Sequence, residues 1–182
     1  MKSGHRICLL RHFPVDRGLP TGWLTAEDLQ RWKLEYDESP VTVSPVSFTT
    51  DEWQTCVASD LSRAHQTALN VFGSEVEVTP LLREAEFMTF RTGKLRMPVR
   101  VWTWLLRLCW LTGHRSQRAC RDDLMQRVKA AADAISERPG NVLVVAHGGL
   151  MIYLSRELLA RGYSGPKLRM PKHVTPYCYE RL

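Results

Sequence analysis

The stretch "NVLVVAHGG", residues 141–149, indicates the fold class of this 182-residue chain. Its continuous apolar, β-branched run is typical of a strand that is buried on both faces, as in a parallel sheet. His147 ends the run, and the sequence that follows, "GLMIYLSRELLARG", has the pattern of a helix. A buried strand that leads directly into a helix is the repeating unit of α/β proteins.

Segments with strand and helix patterns alternate along the rest of the chain. Four more segments have the pattern of strands: 6–12, 54–60, 75–82 and, as an edge strand, 177–182. Four segments between them have helical patterns: 25–36, 61–73, 99–111 and 116–137. This alternation predicts a three-layer α/β/α sandwich around a largely parallel sheet, in one domain over residues 1–182.

The composition is that of a globular protein, with 44% hydrophobic and 24% charged residues. The five cysteines are an odd number without a CxxC pair, which argues against a disulfide framework or a zinc site and for a reducing compartment. The apolar run near the N-terminus is too short for a signal peptide, and no stretch reaches the ~20 residues that span a bilayer. We therefore expect a cytoplasmic protein without a metal site.

The net charge of +6 favours an anionic partner, and the positive charge is concentrated in residues 91–121. This basic segment has no Asp or Glu and eight basic residues: Arg91, Lys94, Arg96, Arg100, Arg107, Arg115, Arg118 and Arg121. Val101, Leu105, Leu108 and Leu111 fit one helical stripe, which we expect to be buried. The remainder is expected to form a helical, basic cap over a substrate. Arginines among tryptophans also suit single-stranded nucleic acid or an anionic membrane, but neither partner is expected.

Candidate functional residues follow the predicted strands. Arg11 and His12 end the first strand, and His147 ends the clearest parallel one. Because the carboxyl ends of parallel strands form one crevice where ligands bind, these side chains are candidates to meet. Arg63 lies in the first turn of a helix, and Gly148 opens a helix whose N–H groups attract anions. The fork of an arginine binds phosphate oxygens, so this set of residues predicts a phosphate site.

Four motifs in this order, "LLRH", "SDLSRAHQTA", "LLREAEF" and "VVAHGG", resemble those of the histidine phosphatase superfamily, also called phosphoglycerate mutase-like. The resemblance covers residues 6 to about 155 and implies the phosphoglycerate mutase-like form of the predicted sandwich. It implies catalytic roles for three residues, the nucleophile His12, the proton donor Glu84 and the phosphate-contacting His147. Phosphate binding is expected from Arg11, Arg63 and Gly148.

The implied chemistry suits these residue types. A neutral imidazole, with an ordinary pKa of about 6.5, is a competent nucleophile near neutral pH, and its phosphoramidate is labile. Two arginines and a second histidine neutralise phosphoryl charge without a metal. A leaving alkoxide needs a proton, which a glutamic acid supplies. Glu86 is a rival to Glu84 for this role.

The chain departs from the family pattern at two places. Phe13 follows His12 where a glycine is common, and "MTFRTG" (88–93) replaces the common Gly and Trp-Glu-Gly. We expect a metal-independent, histidine-type acid phosphatase that hydrolyses small phosphomonoesters through a phosphohistidine intermediate, without a cofactor. The alternatives are a phosphoprotein (phosphohistidine) phosphatase, a mutase-type phosphotransferase, or an inactive phosphate-binding regulatory domain. The sequence does not assign His173, in "PKHVTPY", to the pocket or to a loop.

Overall fold

The structure of the protein is a computed structural model that describes residues 5–46, 49, 51–73, 75–90 and 92–181. Its strands, in chain order, are β1 (His5–Arg11), β2 (Trp23–Leu24), β3 (Thr55–Ser59), β4 (Val76–Thr79), β5 (Met97–Pro98), β6 (Val142–Ala146) and β7 (Pro176–Arg181). Its α-helices are α1 (Ala26–Glu38), α2 (Ser62–Phe72), α3 (Val99–Leu111), α4 (Arg115–Ser136) and α5 (Gly148–Ala160).

Five of the strands form one sheet, in the spatial order β4-β3-β6-β1-β7. The first four of these are parallel to their neighbours, and β7 runs antiparallel to β1 at the edge. The largely parallel sheet, the edge strand and the long helices of the sequence prediction are therefore confirmed. Thr25 and Asp28 form a capping box at the start of α1, and α2 ends at Gly73, whose φ is 112°.

The core lies on both faces of the sheet, because successive side chains of a strand point to opposite sides. Ile7 and Leu9 of β1 belong to a cluster with the buried residues of α4 and α5. Cys8 and Leu10 point the other way and pack with Ala64 and Ala68 of α2. These two clusters join the sheet to the helices on each of its faces, which gives the three layers of the sandwich.

The cysteine pattern argued against a disulfide framework, but one pair of cysteines is bonded in the structure. Cys8 of β1 lies opposite Cys178 of β7, with the Cα atoms 4.0 Å apart, and the two are joined as a disulfide. The two cysteines are 170 residues apart in the sequence, so their pairing depends on strand register and leaves no spacing signal. Cys56, Cys109 and Cys120 are free.

The expected burial of one stripe of α3 is also wrong. Val101, Leu108 and Leu111 are exposed, while Trp102 and Trp110 are buried. The tryptophan side of the helix is the better buried one, because both indole N–H groups find acceptors there, the Leu24 carbonyl oxygen at 2.9 Å and the Tyr153 hydroxyl at 2.5 Å.

A short ribbon, in which β2 pairs with β5 just before α3, has no counterpart among the predicted strands. Arg91 of the basic segment lies outside the described residues. Among the helices that the structure describes, none has the length and apolar character needed to cross a membrane.

Candidate active site

Two histidines meet at the carboxyl edge of the sheet, as predicted. β1 and β6 are neighbours, and Arg11 at the end of β1 pairs with Ala146 at the end of β6. The next residue on each strand is a histidine, and the backbone N–H of His12 donates to the Ala146 carbonyl at 3.0 Å. The ring centres of His12 and His147 are therefore only 5.0 Å apart.

The ring of His12 has a fixed orientation. Its Nδ1 lies 2.6 Å from the Phe13 carbonyl oxygen. Because a carbonyl oxygen only accepts hydrogen bonds, Nδ1 carries the hydrogen and the lone pair of the neutral ring is on Nε2. The Thr67 hydroxyl in turn accepts from the Phe13 N–H at 2.9 Å and donates to the Arg63 carbonyl at 2.6 Å. The "RAHQT" part of the second motif thus positions the chain after His12.

Both histidines are held neutral. Burial, together with the positive charges of Arg63, His173 and Arg11, lowers the pKa of His12 to about 3, although the hydrogen bond to Phe13 opposes this shift. Burial, Arg63 and His12 lower the pKa of His147 well below its ordinary value of 6.5. A neutral His12 presents the Nε2 lone pair that a nucleophile requires.

Two arginine side chains border these histidines. Arg63 is buried, donates to the Asp37 carboxylate at 2.6 Å and lies over the Tyr36 ring, 5.3 Å from its centre. Arg11 donates to the Pro171 carbonyl oxygen at 2.9 Å. The Nε atoms of both arginines are buried without a hydrogen-bond partner among the described residues, and so are both ring nitrogens of His147. Burial of such groups is unfavourable unless they find a partner, so they form a candidate site for the oxygens of an anion.

The structure brings Glu84 to this site and leaves Glu86 at the surface. The Glu84 carboxylate accepts hydrogen bonds from the N–H groups of Gly149 at 3.2 Å and Leu150 at 3.0 Å, in the first turn of α5. Glu86 is exposed and lies 3.5 Å from the amine of Lys33. The first N–H groups of α5, where a phosphate was expected to bind, instead donate at Gly149 and Leu150 to the Glu84 carboxyl group.

The two glycines after His147 allow the side chains of Glu84 and Arg11 to approach α5 closely. A Cβ on Gly149 would lie 2.5 Å from Oε1 of Glu84, which is too close for any real contact. A Cβ on Gly148 would lie 3.2 Å from Nε of Arg11, so this glycine lets the guanidinium pack against the start of α5. The predicted phosphate-binding residues Arg11 and Gly148 thus lie beside each other.

Sequence reasoning left His173 unassigned, and the structure places it in the site. Its Nδ1 donates to the His12 carbonyl oxygen at 2.7 Å, and its ring centre lies 5.1 Å from that of His12. The next residue, Val174, donates its N–H to the Arg11 carbonyl at 3.0 Å. Tyr36 and Asp37 also reach the site without any sequence signal, because they belong to the distant helix α1.

The comparison with protein families fits this geometry. The family model "Histidine phosphatase superfamily (branch 1)" matches residues 45–176, well over half of the chain. The chain belongs to this superfamily. Arg63, Glu84 and His147 lie inside the matched range, whereas Arg11 and His12 precede it. Membership in the histidine phosphatase superfamily supports a phosphatase or phosphotransferase activity.

Solved structures of the superfamily fold resemble the whole chain. YhfR of Bacillus stearothermophilus is 19% identical, with 96% of this chain and 90% of that one covered and a TM-score of 0.59. A mycobacterial glucosyl-3-phosphoglycerate phosphatase is 21% identical over 95% and 88% of the two chains, with a TM-score of 0.55. A phosphoserine phosphatase from Entamoeba histolytica is 14% identical over 96% and 89%, with a TM-score of 0.53. Identities this low establish the fold alone. No curated protein sequence matches the chain significantly.

Phe13, which departs from the superfamily pattern, keeps the backbone that orients His12. Its side chain is buried. Its N–H donates to the Thr67 hydroxyl, and its carbonyl oxygen accepts from Nδ1 of His12. The larger side chain therefore changes what fills the core beside the site and leaves the support of His12 intact.

Proposed function

We propose that this protein hydrolyses phosphomonoesters through a phosphohistidine formed at Nε2 of His12. The observation that supports this most directly is a group of buried nitrogens around the neutral His12 that have no hydrogen-bond partner in the described part of the chain: Nε of Arg11, Nε of Arg63 and both ring nitrogens of His147. Arginine N–H groups bind phosphoryl oxygens with charge-assisted hydrogen bonds, and His147 adds a further donor. A phosphoryl group satisfies these nitrogens and faces the lone pair of His12.

The reaction takes place in two displacements. In the first, Nε2 of His12 attacks phosphorus, the bond from phosphorus to the ester oxygen breaks, and that oxygen takes a proton from Glu84. In the second, water attacks the phosphohistidine, its proton passes to the Glu84 carboxylate, and the P–N bond breaks to release phosphate. Arg11, Arg63 and His147 neutralise the charge on the phosphoryl oxygens, so neither step requires a metal.

The test is turnover and trapping of the intermediate. Wild-type protein should hydrolyse p-nitrophenyl phosphate, or members of a panel of small phosphorylated metabolites, with EDTA present. Denaturation during turnover of a phosphorus-labelled substrate should yield a phosphoprotein that is stable to base and labile to acid. His12→Ala should abolish both turnover and labelling, because the proposed nucleophile is removed.

His65→Ala is the matched control, because His65 lies on α2 outside the site. This substitution should change neither turnover nor labelling. A His12→Ala protein that keeps activity near that of the wild type would exclude the mechanism. A wild-type protein that binds inorganic phosphate but turns over no substrate would instead identify a regulatory phosphate-binding domain.

A further inference from the structure

One side of α3 carries an apolar stripe that the proposed active site does not use. Val101, Trp104, Leu108 and Leu111 follow the spacing i, i+3, i+7 and i+10, so they share one face of the helix. Trp104 is 61% exposed and Leu111 76%, and Val101 and Leu108 are 40% and 41% exposed. We call these four residues the α3 outer face. A contiguous apolar face on a helix surface marks an interaction site.

The α3 outer face lies on the side of the helix opposite its packing contacts. The helix packs inward through Trp102 and Trp110, which lie on its opposite side and contact Phe90, Phe87 and Tyr153. These partners belong to the segment that follows Glu84 and to α5, the two elements that border the site. Substitutions on the α3 outer face therefore leave the contacts of the catalytic groups unchanged.

Positive charge without ion-pair partners among the described residues is concentrated in α3 and the segments next to it in the chain. Seven basic residues and no acidic residue lie between positions 94 and 121: Lys94, Arg96, Arg100, Arg107, Arg115, Arg118 and Arg121. None of the seven forms an ion pair within the described residues, whereas nine lysines and arginines elsewhere do. Arg100 and Arg107 directly precede Val101 and Leu108, so they lie along the border of the stripe. This charge calls for an anionic partner.

We propose, against the expectation from the sequence, that the α3 outer face docks on the surface of an anionic membrane. An amphipathic helix of this kind lies in the plane of the interface, where its apolar side chains enter the boundary between headgroups and acyl chains. A tryptophan such as Trp104 is favoured at that depth, and flanking arginines reach the acidic headgroups. The membrane thus satisfies both the apolar stripe and the positive charge.

Two other occupants fit less well. A second copy of the chain would cover the apolar stripe, but it would bring two unneutralised basic segments together, and juxtaposed like charges oppose association. A single-stranded nucleic acid would match the charge and stack on Trp104. It would leave Val101, Leu108 and Leu111 without an apolar environment, because aliphatic side chains offer no stacking surface.

Vesicle co-sedimentation of the full chain tests the proposal. Wild-type protein should bind vesicles of phosphatidylcholine mixed with phosphatidylglycerol and should not bind vesicles of phosphatidylcholine alone. The binding should weaken as salt is raised. Arg100→Gln combined with Arg107→Gln should reduce the partition coefficient about 30-fold, which is about fivefold for each charge. Trp104→Ser combined with Leu108→Ser should reduce it at least about tenfold, because apolar insertion is lost.

Matched controls separate the α3 outer face from general surface effects. Lys129→Gln combined with Lys167→Gln removes two exposed positive charges outside the segment, and Leu34→Ser removes an apolar side chain that is 65% exposed on α1. These variants should bind anionic vesicles nearly as well as the wild type. Circular dichroism and urea unfolding verify that every variant is folded.

Several outcomes would overturn the proposal. They are no binding to the anionic vesicles, equal binding to neutral vesicles, and unchanged binding by both double variants on α3. Light scattering that shows a dimer dissociated by Trp104→Ser would assign the face to a second copy instead. Tight binding of a single-stranded oligonucleotide without vesicle binding would assign it to nucleic acid.

Discussion

The predicted role of Glu84 as a proton donor depends on where its carboxyl group is held. Its carboxylate is fixed by the first N–H groups of α5, in the turn that begins after His147. It is thereby held beside the residues that we expect to bind the phosphoryl group. Glu86, only two residues away, is directed to Lys33 and solvent. Positions i and i+2 of a regular extended segment face the same side, which is why the sequence alone left both glutamates as candidates. Residues 83–90 form neither a helix nor a strand, so the two side chains take different directions.

Glu84→Gln should slow alkyl phosphates far more than p-nitrophenyl phosphate. A p-nitrophenolate leaves with little proton assistance, whereas an alkoxide needs it, and such assistance is typically worth ~10²–10⁴-fold. The measurement is kcat/KM for both kinds of substrate. Glu86→Gln is the control and should leave both values near those of the wild type. A selective loss in the Glu86 variant would move the role there, and equal losses on both substrates in the Glu84 variant would indicate a structural function.

At the level of elements, α2 supports the site through one hydroxyl. Thr67 bonds the Phe13 N–H and the Arg63 carbonyl, so it links the chain after His12 to the helix that carries the buried arginine. Arg63 in turn pairs with Asp37 of α1. The position of the proposed nucleophile therefore depends on how two helices dock against the end of β1.

Thr67→Val should weaken both the fold and catalysis. Valine fills the same volume but leaves the Phe13 N–H buried without an acceptor, which costs about 1–3 kcal/mol of unfolding free energy. The carbonyl that orients His12 becomes less fixed, so kcat should fall by about tenfold. Urea unfolding and p-nitrophenyl phosphate kinetics measure the two effects. Thr67→Ser, which keeps the hydroxyl, should retain most of the activity. Equal losses in both variants would contradict the proposed role of the hydroxyl.

The cap function of the basic segment stays a prediction at this scale. If its charges help to capture substrate, Arg115→Gln combined with Arg118→Gln should lower kcat/KM for a multiply charged substrate more than for p-nitrophenyl phosphate. The difference should shrink as salt rises, because the Debye length falls from ~8 Å at physiological ionic strength to ~3 Å at 1 M. The same change for both substrates at every salt concentration would exclude the cap.

Elements with strong local signals were predictable from the sequence. β1 and β6 are continuous apolar runs, α1 begins at a capping box, and α2 ends at a glycine. The ribbon of β2 and β5 was not predictable, because two residues on each strand show no periodicity. Helix α3 shows a different limit. Apolar residues lie around much of the circumference of this helix, so the sequence alone predicts more than one apolar stripe. Tertiary packing decides which stripe is buried.

At the scale of the whole molecule, the site and disulfide residues whose roles could not be predicted from the sequence share one property. Tyr36, Asp37 and His173 reach the site from segments far away in the chain, and Cys178 meets Cys8 through strand register. Contacts of this kind follow from the topology of the fold, and no local pattern encodes them. His12 and His147 were predictable because a parallel sheet places the ends of neighbouring strands at one edge.

The neutral, buried histidines link the stability of the whole protein to pH. In the unfolded chain a histidine has a pKa near 6.5, whereas in the folded protein burial lowers the pKa of His12 to about 3 and that of His147 well below its ordinary value. Between these values the unfolded state binds more protons than the folded state. The stabilising contribution is therefore complete above about pH 6.5 and is lost as the pH falls toward 3.

We expect the unfolding free energy to decrease between about pH 6.5 and pH 5, with each of these two histidines contributing up to about 1.4 kcal/mol per pH unit. Most carboxylates remain ionised in this window, so the histidines dominate the slope. His12→Asn should remove about one proton from the linkage and flatten the slope accordingly. Urea unfolding at several pH values measures it, with His65→Asn as the control. A slope that His12→Asn leaves unchanged would show that His12 is not kept neutral by the fold, and the source of its nucleophilicity would then have to lie elsewhere.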